Sequence, residues 1–201
     1  MQHERIFILT GAGISAESGL STFRDAGGLW SEHNIEDVAS IEGFRRNPLL
    51  VLDFYNRRRT AAAMVKPNAA HVALGELQSA WAARGGEVTL CTQNVDGLHE
   101  RAGSRRLVRL HGTLWRSRCI DEHREFDDDR AEFDTWPPRC TCGSLLRPAV
   151  VWFGEALPEE SLALAVQAAR EATLVLVAGT SSLVHPAATL PSIAREAGAY
   201  V

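Results

Sequence analysis

A short apolar run, Ile6-Phe7-Ile8-Leu9, leads straight into Thr10-Gly11-Ala12-Gly13-Ile14-Ser15-Ala16-Glu17-Ser18-Gly19-Leu20. No other stretch restricts the fold so strongly. Four consecutive apolar residues read as a buried strand, and the small residues after them suit a tight turn into a helix. A strand that passes through glycines into a helix is a phosphate-binding turn. The glycines let a ligand approach the backbone, and the amide N–H groups of the helix start face the anion. The pattern here is Gly11-x-Gly13-x-x-Ala16. Taken alone it is equally compatible with a Gly/Ala-rich turn that holds no ligand.

The rest of the chain supplies partners for that strand. Glu87–Thr92, Leu107–Leu110 and Ala172–Ala178 are apolar runs of strand length. Helical patterns separate them, which is the rhythm of a parallel α/β sheet. Asn68 is placed to cap a helix to about Arg84, with Leu74, Leu77 and Trp81 on one face and Gly85-Gly86 as its stop. Residues 36–65 read as helical: Pro48 opens a helix on which Leu49, Leu52, Tyr55 and Arg58 recur at helical spacing. Further helices are predicted from Pro158 to about Glu171 and from Pro186 to Ala197, and Ala199-Tyr200-Val201 begins one more strand.

Polar side chains gather where these strands end, and the carboxyl edge of an open parallel sheet is where ligands bind. Gln93, Asn94 and Asp96 follow one strand, His111 another, and Gly179-Thr180-Ser181-Ser182 a third. His111 emerges at the same edge as Asn94 and Asp96, which makes it the general-base candidate. Between Leu20 and Trp30 runs a long Gly-rich loop, a length that suggests a cover over a ligand. A dehydrogenase would show a second strand ending in a ribose-binding acid. Asp25 has no strand before it, so the sequence disfavours a dehydrogenase.

With 201 residues the chain fits one core with a small appended lobe. A net charge of −4 leaves no basic footprint for nucleic acid. No apolar run reaches membrane-spanning length. Met1–Arg5 lacks the basic-then-apolar pattern of a secretory signal, so a cytosolic location is expected. Four cysteines occur there, at 91, 119, 140 and 142, and a disulfide framework is not expected. Cys91 sits inside an apolar run and reads as a buried thiol. Cys119, Cys140 and Cys142 lie in an irregular segment, residues 113–147, which suggests a zinc-bound module. The fourth ligand is open between His123 and Glu122, since the spacing departs from paired Cys-x-x-Cys. The acidic run Asp127-Asp128-Asp129 reads as a solvated loop. Leu146–Glu155 reads as an apolar strand-like segment returning to the core, with an edge able to pair with an extended peptide.

Together these blocks resemble the sirtuins, NAD-dependent protein-lysine deacylases. The carriers are Gly11-Ala-Gly-Ile-Ser-Ala-Glu-Ser-Gly19 with Phe23-Arg24-Asp25, then Thr92-Gln-Asn-Val-Asp-Gly-Leu98 and Leu110-His-Gly112. Arg147-Pro-x-Val-Val-Trp-Phe-Gly-Glu155 and Gly179-Thr-Ser181 complete the set, so the resemblance spans nearly the whole chain. It implies an α/β fold: a Rossmann-like parallel sheet domain with a smaller lobe built of a zinc-type module and a helical insertion. On that reading residues 1–29, 68–113 and 147–201 form the NAD-binding domain. Residues 30–67 form the helical insertion and 114–146 the zinc-type module.

The resemblance also implies roles. Gly11, Ala12, Gly13, Ile14 and Ala16 would cradle the pyrophosphate of NAD. Phe23 would shield the ribose from water, with Arg24 near the phosphates and Trp30 beside the cofactor. Gln93, Asn94 and Asp96 would line the ribose and nicotinamide pockets, and Gly179, Thr180 and Ser181 the adenosine side. Asn94 and His111 would be catalytic. In the implied reaction the acyl oxygen attacks the ribose carbon as nicotinamide leaves. His111 then helps deprotonate a ribose hydroxyl, which attacks the resulting imidate, and water completes the transfer as the lysine amine leaves. The products are free lysine, nicotinamide and O-acyl-ADP-ribose. Val151 and Phe153 would lie along the strand that pairs with the substrate backbone.

The form Phe23–Trp30 together with Tyr55-x-x-Arg58 looks like the bacterial and mitochondrial class that removes acidic acyl groups. Tyr55 and Arg58 would hold a terminal carboxylate, and Ala26 would leave room for a longer acyl chain. The implied partners are acyl-lysine proteins carrying succinyl, malonyl or acetyl groups, with no nucleic acid and no membrane, and the chain is expected to act as a monomer. Zinc would be structural, held by Cys119, Cys140 and Cys142 with a fourth ligand outside the family's four-cysteine pattern. The chain ends at Val201, where the family continues, so an exposed sheet edge and weaker cofactor binding are expected. Two other functions fit the same scaffold. One is an NAD glycohydrolase or ADP-ribosyltransferase, which needs no acyl-lysine channel. The other is a non-catalytic NAD-binding module, which needs no base at His111.

Overall fold

The computed structural model describes residues 5–22 and 33–201. Its strands are β1 (Arg5–Thr10), β2 (Glu87–Thr92), β3 (Leu107–Arg109), β4 (Gly112–Cys119), β5 (Glu125–Asp127), β6 (Leu146–Val150) and β7 (Leu174–Ala178). Four of them form a parallel sheet in the order β3-β2-β1-β7. Tyr200 bridges to Leu174 in parallel, so the last residues begin a further strand beside β7, as the sequence predicts.

The alternation of β1 explains the layers. Phe7 and Leu9 point to one face, where they meet the Glu159–Glu171 and Leu190–Glu196 helices through Ala165, Ala169, Leu190 and Ala194. Ile6 and Ile8 point to the other, where Leu74, Leu77 and Trp81 of the Ala69–Ala82 helix cover them. Phe7 and Leu9 are fully buried, each burial favouring the fold by roughly 1.5–3 kcal/mol. The capping prediction at Asn68 holds: its side chain accepts from the Ala70 and His71 amides. Cys91 is also buried as expected, and burial pushes its thiol up to about 12.

Several elements differ from the sequence reading. The helical stretch is three helices, Ile35–Val38, Ile41–Arg46 and Pro48–Met64: the first ends at Ala39, Ser40 caps the second, and Asn47 both ends the second and caps the third. The segment after His111 is not irregular throughout. β4 runs eight residues and pairs antiparallel with β5 and β6. β6 joins this second sheet and not the parallel one. Pro148 has no N–H to give a central ladder, and β6 is an edge of the order β5-β4-β6. A second core forms here, with Val51, Phe54 and Tyr55 of the Pro48–Met64 helix packed on Leu114, Val150 and Trp152.

β7 is less covered than its composition suggests: Leu176 and Val177 are each 40% exposed, and the buried contacts stop at Val175. The acidic run is the other correction. Asp127 and Asp129 are exposed, but Asp128 is buried. Arg130 grips it through Nε to Oδ1 at 2.7 Å and Nη2 to Oδ2 at 2.8 Å, and Ser117 also donates to Oδ2. Arg59, 2% exposed, lies 3.4 Å from it and donates to the Asp128 and Arg130 carbonyls. This knot ties the long helix to the second sheet.

Candidate active site

Register places the site. Thr10 of β1 aligns with Thr92 of β2 and Ala178 of β7, and Thr92 aligns with Arg109 of β3. All four strands therefore end in one row. The next residues, Gly11, Gln93, Gly179 and the Leu110-His111 pair, leave the carboxyl edge together.

Gly11 opens a 3₁₀ helix, Ala12–Ser18, where the sequence suggests an ordinary helix. A Cβ on Gly11 would lie 2.7 Å from the Thr180 Cβ and 2.9 Å from the Gly179 oxygen, so only glycine fits. The Gly13 amide donates to the Gly179 carbonyl at 2.7 Å, and the Gly11 amide to the Ala178 carbonyl. The glycines thus lock two turns against each other, and those two amides do not face an anion as the sequence argument assumed. Gly13 and Ala16 remain on the surface, and Ile14 is buried beneath them.

Gln93 donates to the Thr180 hydroxyl at 2.9 Å, joining the β2 and β7 loops. Asn94 donates to the Gly11 carbonyl at 3.1 Å and to the Ser15 hydroxyl at 3.2 Å. Ser15 donates in turn to Asp96 at 2.7 Å, and Asp96 also accepts from the Leu98 amide. His111 is partly exposed at this edge, with Nδ1 3.1 Å from the Gln93 carbonyl. A carbonyl only accepts, so Nδ1 carries the hydrogen and Nε2 keeps its lone pair. Burial lowers the His111 pKa, opposed by that carbonyl, and the ring is neutral at pH 7.

Beneath these residues lies a buried polar layer that sequence reasoning missed. Thr10 Oγ1 stands 2.9 Å from Thr92 Oγ1 and 3.0 Å from His99 Nε2. His71 Nε2 is 3.3 Å from Ser15 Oγ, and the His71 and His99 rings are 4.8 Å apart. Burial lowers both pKa values, that of His99 to about 4 with help from the neighbouring His71, so burial favours the neutral form of both rings. The only sequence signal was Asn68-x-x-His71, a capping pattern with an unusual third member.

Tyr55 is buried, its ring 6.3 Å from Trp152. Burial pushes its phenol up to about 12 against the nearby charges of Arg58 and Arg147. Burial also lowers the Arg58 pKa, while Tyr55 and Asp96 oppose that shift. Tyr55 and Arg58 stand three residues apart on the Pro48–Met64 helix and are both shielded from water. The Val151 amide donates to the His111 carbonyl at 2.9 Å, and the Phe153 amide to the Ala39 carbonyl at 2.8 Å. Phe153 is 48% exposed. Arg147 holds the turn below, donating to both Glu155 oxygens at 2.7 and 2.9 Å and lying 3.3 Å from the centre of the Trp152 ring. Phe23, Arg24, Ala26 and Trp30 lie outside the described residues.

Cys119, Glu122, Cys140 and Cys142 present donor atoms that all lie within 4.8 Å of one another. Tetrahedral zinc with sulfur at about 2.3 Å and oxygen at about 2.0 Å needs ligand–ligand edges of about 3.5–3.8 Å. Cys119 and Cys142 Sγ are 3.5 Å apart, and Cys140 Sγ is 3.7 Å from Glu122 Oε2. The four residues fit the ion. His123, the other fourth ligand open in the sequence, is exposed and stands outside the group.

A parallel sheet with loops knotted at its carboxyl edge, a neutral histidine among them and a cysteine cluster in a second sheet define a Rossmann-like nucleotide-binding protein. The sequence pattern of the Sir2 family matches residues 11–186, and the chain belongs to that family. An NAD-dependent protein deacylase of Aquifex aeolicus is 46% identical over 206 residues, covering 100% of this chain and 83% of the relative. One of the same name from Thermus thermophilus is 49% identical over 199 residues, covering 98% and 78%. The crystal structure of a Sir2 homologue–NAD complex superposes with a TM-score of 0.88 at 44% identity, covering 96% of this chain and 75% of that one. Sir2 bound to an inhibitor, 2′-O-acetyl-ADP-ribose and a deacetylated p53 peptide gives 0.82 at 34% identity, covering 97% and 78%.

Proposed function

We propose that this Sir2-family chain is an NAD-dependent protein-lysine deacylase that consumes NAD and transfers the acyl group to ADP-ribose. The observation that carries this reading is His111: a neutral ring, tautomer set by the Gln93 carbonyl, at the edge shared with Asn94 and the Gly11 turn. Its Nε2 is the proton acceptor. Asn94 orients the ribose side of the cleft, and Gln93 and Thr180 together fix the wall toward Gly179 and Ser181. Ser15 holds Asp96 in place. Ala12, Gly13 and Ala16 form the surface toward the phosphates, with Ile14 packed beneath them; Phe23, Arg24 and Trp30 are assigned to the cofactor by the family resemblance alone. The NAD-dependent deacylases among its relatives and the NAD-bound Sir2 homologue support the cofactor. Zinc, when bound by Cys119, Cys140 and Cys142, supplies cohesion to the second sheet and takes no part in proton transfer.

The peptide reading rests on Val151 and Phe153. Their amides are tied to His111 and Ala39, so that segment is held against the base. In this proposal residues 1–29, 68–113 and 147–201 act as the NAD-binding domain, with 30–67 and 114–146 as the small lobe. The partners are acyl-lysine proteins, the form is a monomer and the location cytoplasmic; among the described residues no helix is long and apolar enough to cross a membrane. The basic test is nicotinamide release from NAD. Release that depends on an acyl-lysine peptide supports deacylation, and release at the same rate without peptide supports a glycohydrolase instead.

We extend the proposal to succinyl and malonyl groups, on the strength of Tyr55 and Arg58, which stand three residues apart on the Pro48–Met64 helix and are both desolvated. Arg58→Met should reduce kcat/KM for a succinyl peptide by about 10–100-fold, as expected when a charge-assisted pair worth 1.5–3 kcal/mol is lost. The acetyl peptide should change far less. Equal loss on both removes the acidic-acyl reading.

The pH profile gives another check. Protonating His111 removes the lone pair, so activity falls as pH drops through its pKa. Because burial lowers that pKa, the acid limb of kcat/KM should lie below the ordinary 6.5. A limb above 6.5 would contradict the buried, neutral ring.

A further inference from the structure

Cys119, Cys140 and Cys142 account for three of the four corners of a tetrahedral ion. We propose that Glu122 is the fourth ligand, so that this chain carries a three-thiolate, one-carboxylate zinc site whose carboxylate is the exchangeable arm. The inference rests on the zinc reading above and concerns what this chain does where three thiols leave a corner open.

Local backbone geometry brings Glu122 in. Cys119 ends β4, and the chain reverses tightly: the His123 amide donates to the Cys119 carbonyl, and the Cys119 amide to the Arg124 carbonyl, each at 3.0 Å. That reversal returns residue 122 over the Cys119 thiol. The opposite knuckle closes in the same way, with the Cys140 amide on the Ser144 carbonyl at 2.8 Å and the Gly143 amide on the Cys140 carbonyl at 2.9 Å. The Cys140–Glu122 edge of 3.7 Å is of the length that a tetrahedral ion needs.

Burial and charge then divide the labour. Cys119 is fully buried and Cys140 is 7% exposed, so two soft thiolates anchor the ion from inside, while Cys142 is exposed and holds by the softness of its sulfur alone. Glu122 has a side chain 44% exposed and faces competing water and chelators. Two positive charges from zinc against three thiolates and one carboxylate leave a net −2. Arg124 stands 3.5 Å from Glu122 Oε2 and 3.7 Å from Cys140 Sγ, which offsets one of those charges. The same guanidinium raises a rival account, in which Arg124 alone neutralises the cluster and no metal is held.

The test uses full-length, tag-free protein. Zinc is counted by mass spectrometry, and its release to a coloured chelator is timed. The expected result is about one zinc per chain in the native protein. Glu122→Ala should release it at least 10–100-fold faster, the range that loss of even an outer partner produces. Glu122→Cys should release it more slowly, and its cobalt form should gain about one third in sulfur-to-metal absorption as three thiolates become four. His123→Ala should match the native protein. One zinc per chain with unchanged release in Glu122→Ala, and no added sulfur absorption in Glu122→Cys, overturns Glu122 and leaves the zinc reading standing. Faster release in His123→Ala reassigns the corner to His123. No zinc in the native protein overturns both readings in favour of Arg124.

Discussion

His111→Ala should lower the rate of acyl transfer by about 10²–10⁴-fold, the usual worth of a positioned general base. The fold should survive the change. Among the described residues the ring makes one hydrogen bond, to the Gln93 carbonyl, and its loss costs about 1 kcal/mol. A thermal melt close to the native one therefore separates a chemical defect from a structural one. A finer readout is available. In the implied reaction the base acts on a ribose hydroxyl after nicotinamide has left. Exchange of labelled nicotinamide into NAD, in the presence of acyl peptide, should then fall less than product formation. Equal loss of both would place His111 in cofactor binding and not in proton transfer.

The largest effect on stability is expected at Asp128. Asp128→Ala should destabilise the protein by about 3–5 kcal/mol, because it leaves the buried Arg59 guanidinium without its counter-charge. Arg59 cannot reach water by a rotamer change. It is 2% exposed, with the rings of Trp115 and Phe133 5.9 and 5.1 Å from its guanidinium carbon. The neighbouring Asp127→Ala, at an exposed carboxylate paired with Arg116, should change stability by no more than about 0.5 kcal/mol. Chemical denaturation of both variants measures the contrast.

The same knot has a pH signature. Burial alone would raise the Asp128 pKa, but hydrogen bonds from Arg130 and Ser117 and the charge of Arg59 outweigh it and hold it at about 2. The unfolded value is about 3.9, so this stabilisation is complete above about pH 4 and lost as pH falls toward 2. In the alanine variant that acid-dependent component should be missing.

These two sites show what the sequence makes legible. β1 and β2, the Asn68 cap and the buried Cys91 were readable because each rests on a local pattern: an apolar run, a capping residue, a thiol inside a strand. The polar residues at strand ends were readable because parallel topology sends every loop to one edge. What pairs across distance was not. Nothing in the local sequence marks Asp128 apart from Asp127 and Asp129; Arg59, 69 residues away, and Ser117 on β4 join Arg130 to hold it in the core. Leu146–Glu155 is legible as a strand-like segment from its apolar run, but its antiparallel partner β4 is not. Ser15, His71 and His99 meet from three elements, so no spacing announces them. Glu122 and His123 are adjacent in sequence, and only the turn after Cys119 separates their positions.

The most direct measurement is mass spectrometry of one incubation of the native protein with NAD and a succinyl-lysine peptide, beside an acetyl-lysine peptide and a control without peptide. The account predicts O-acyl-ADP-ribose, free-lysine peptide and nicotinamide in equal amounts, and none of them without peptide. ADP-ribose formed equally in the peptide-free control, or no product from either peptide, would contradict it.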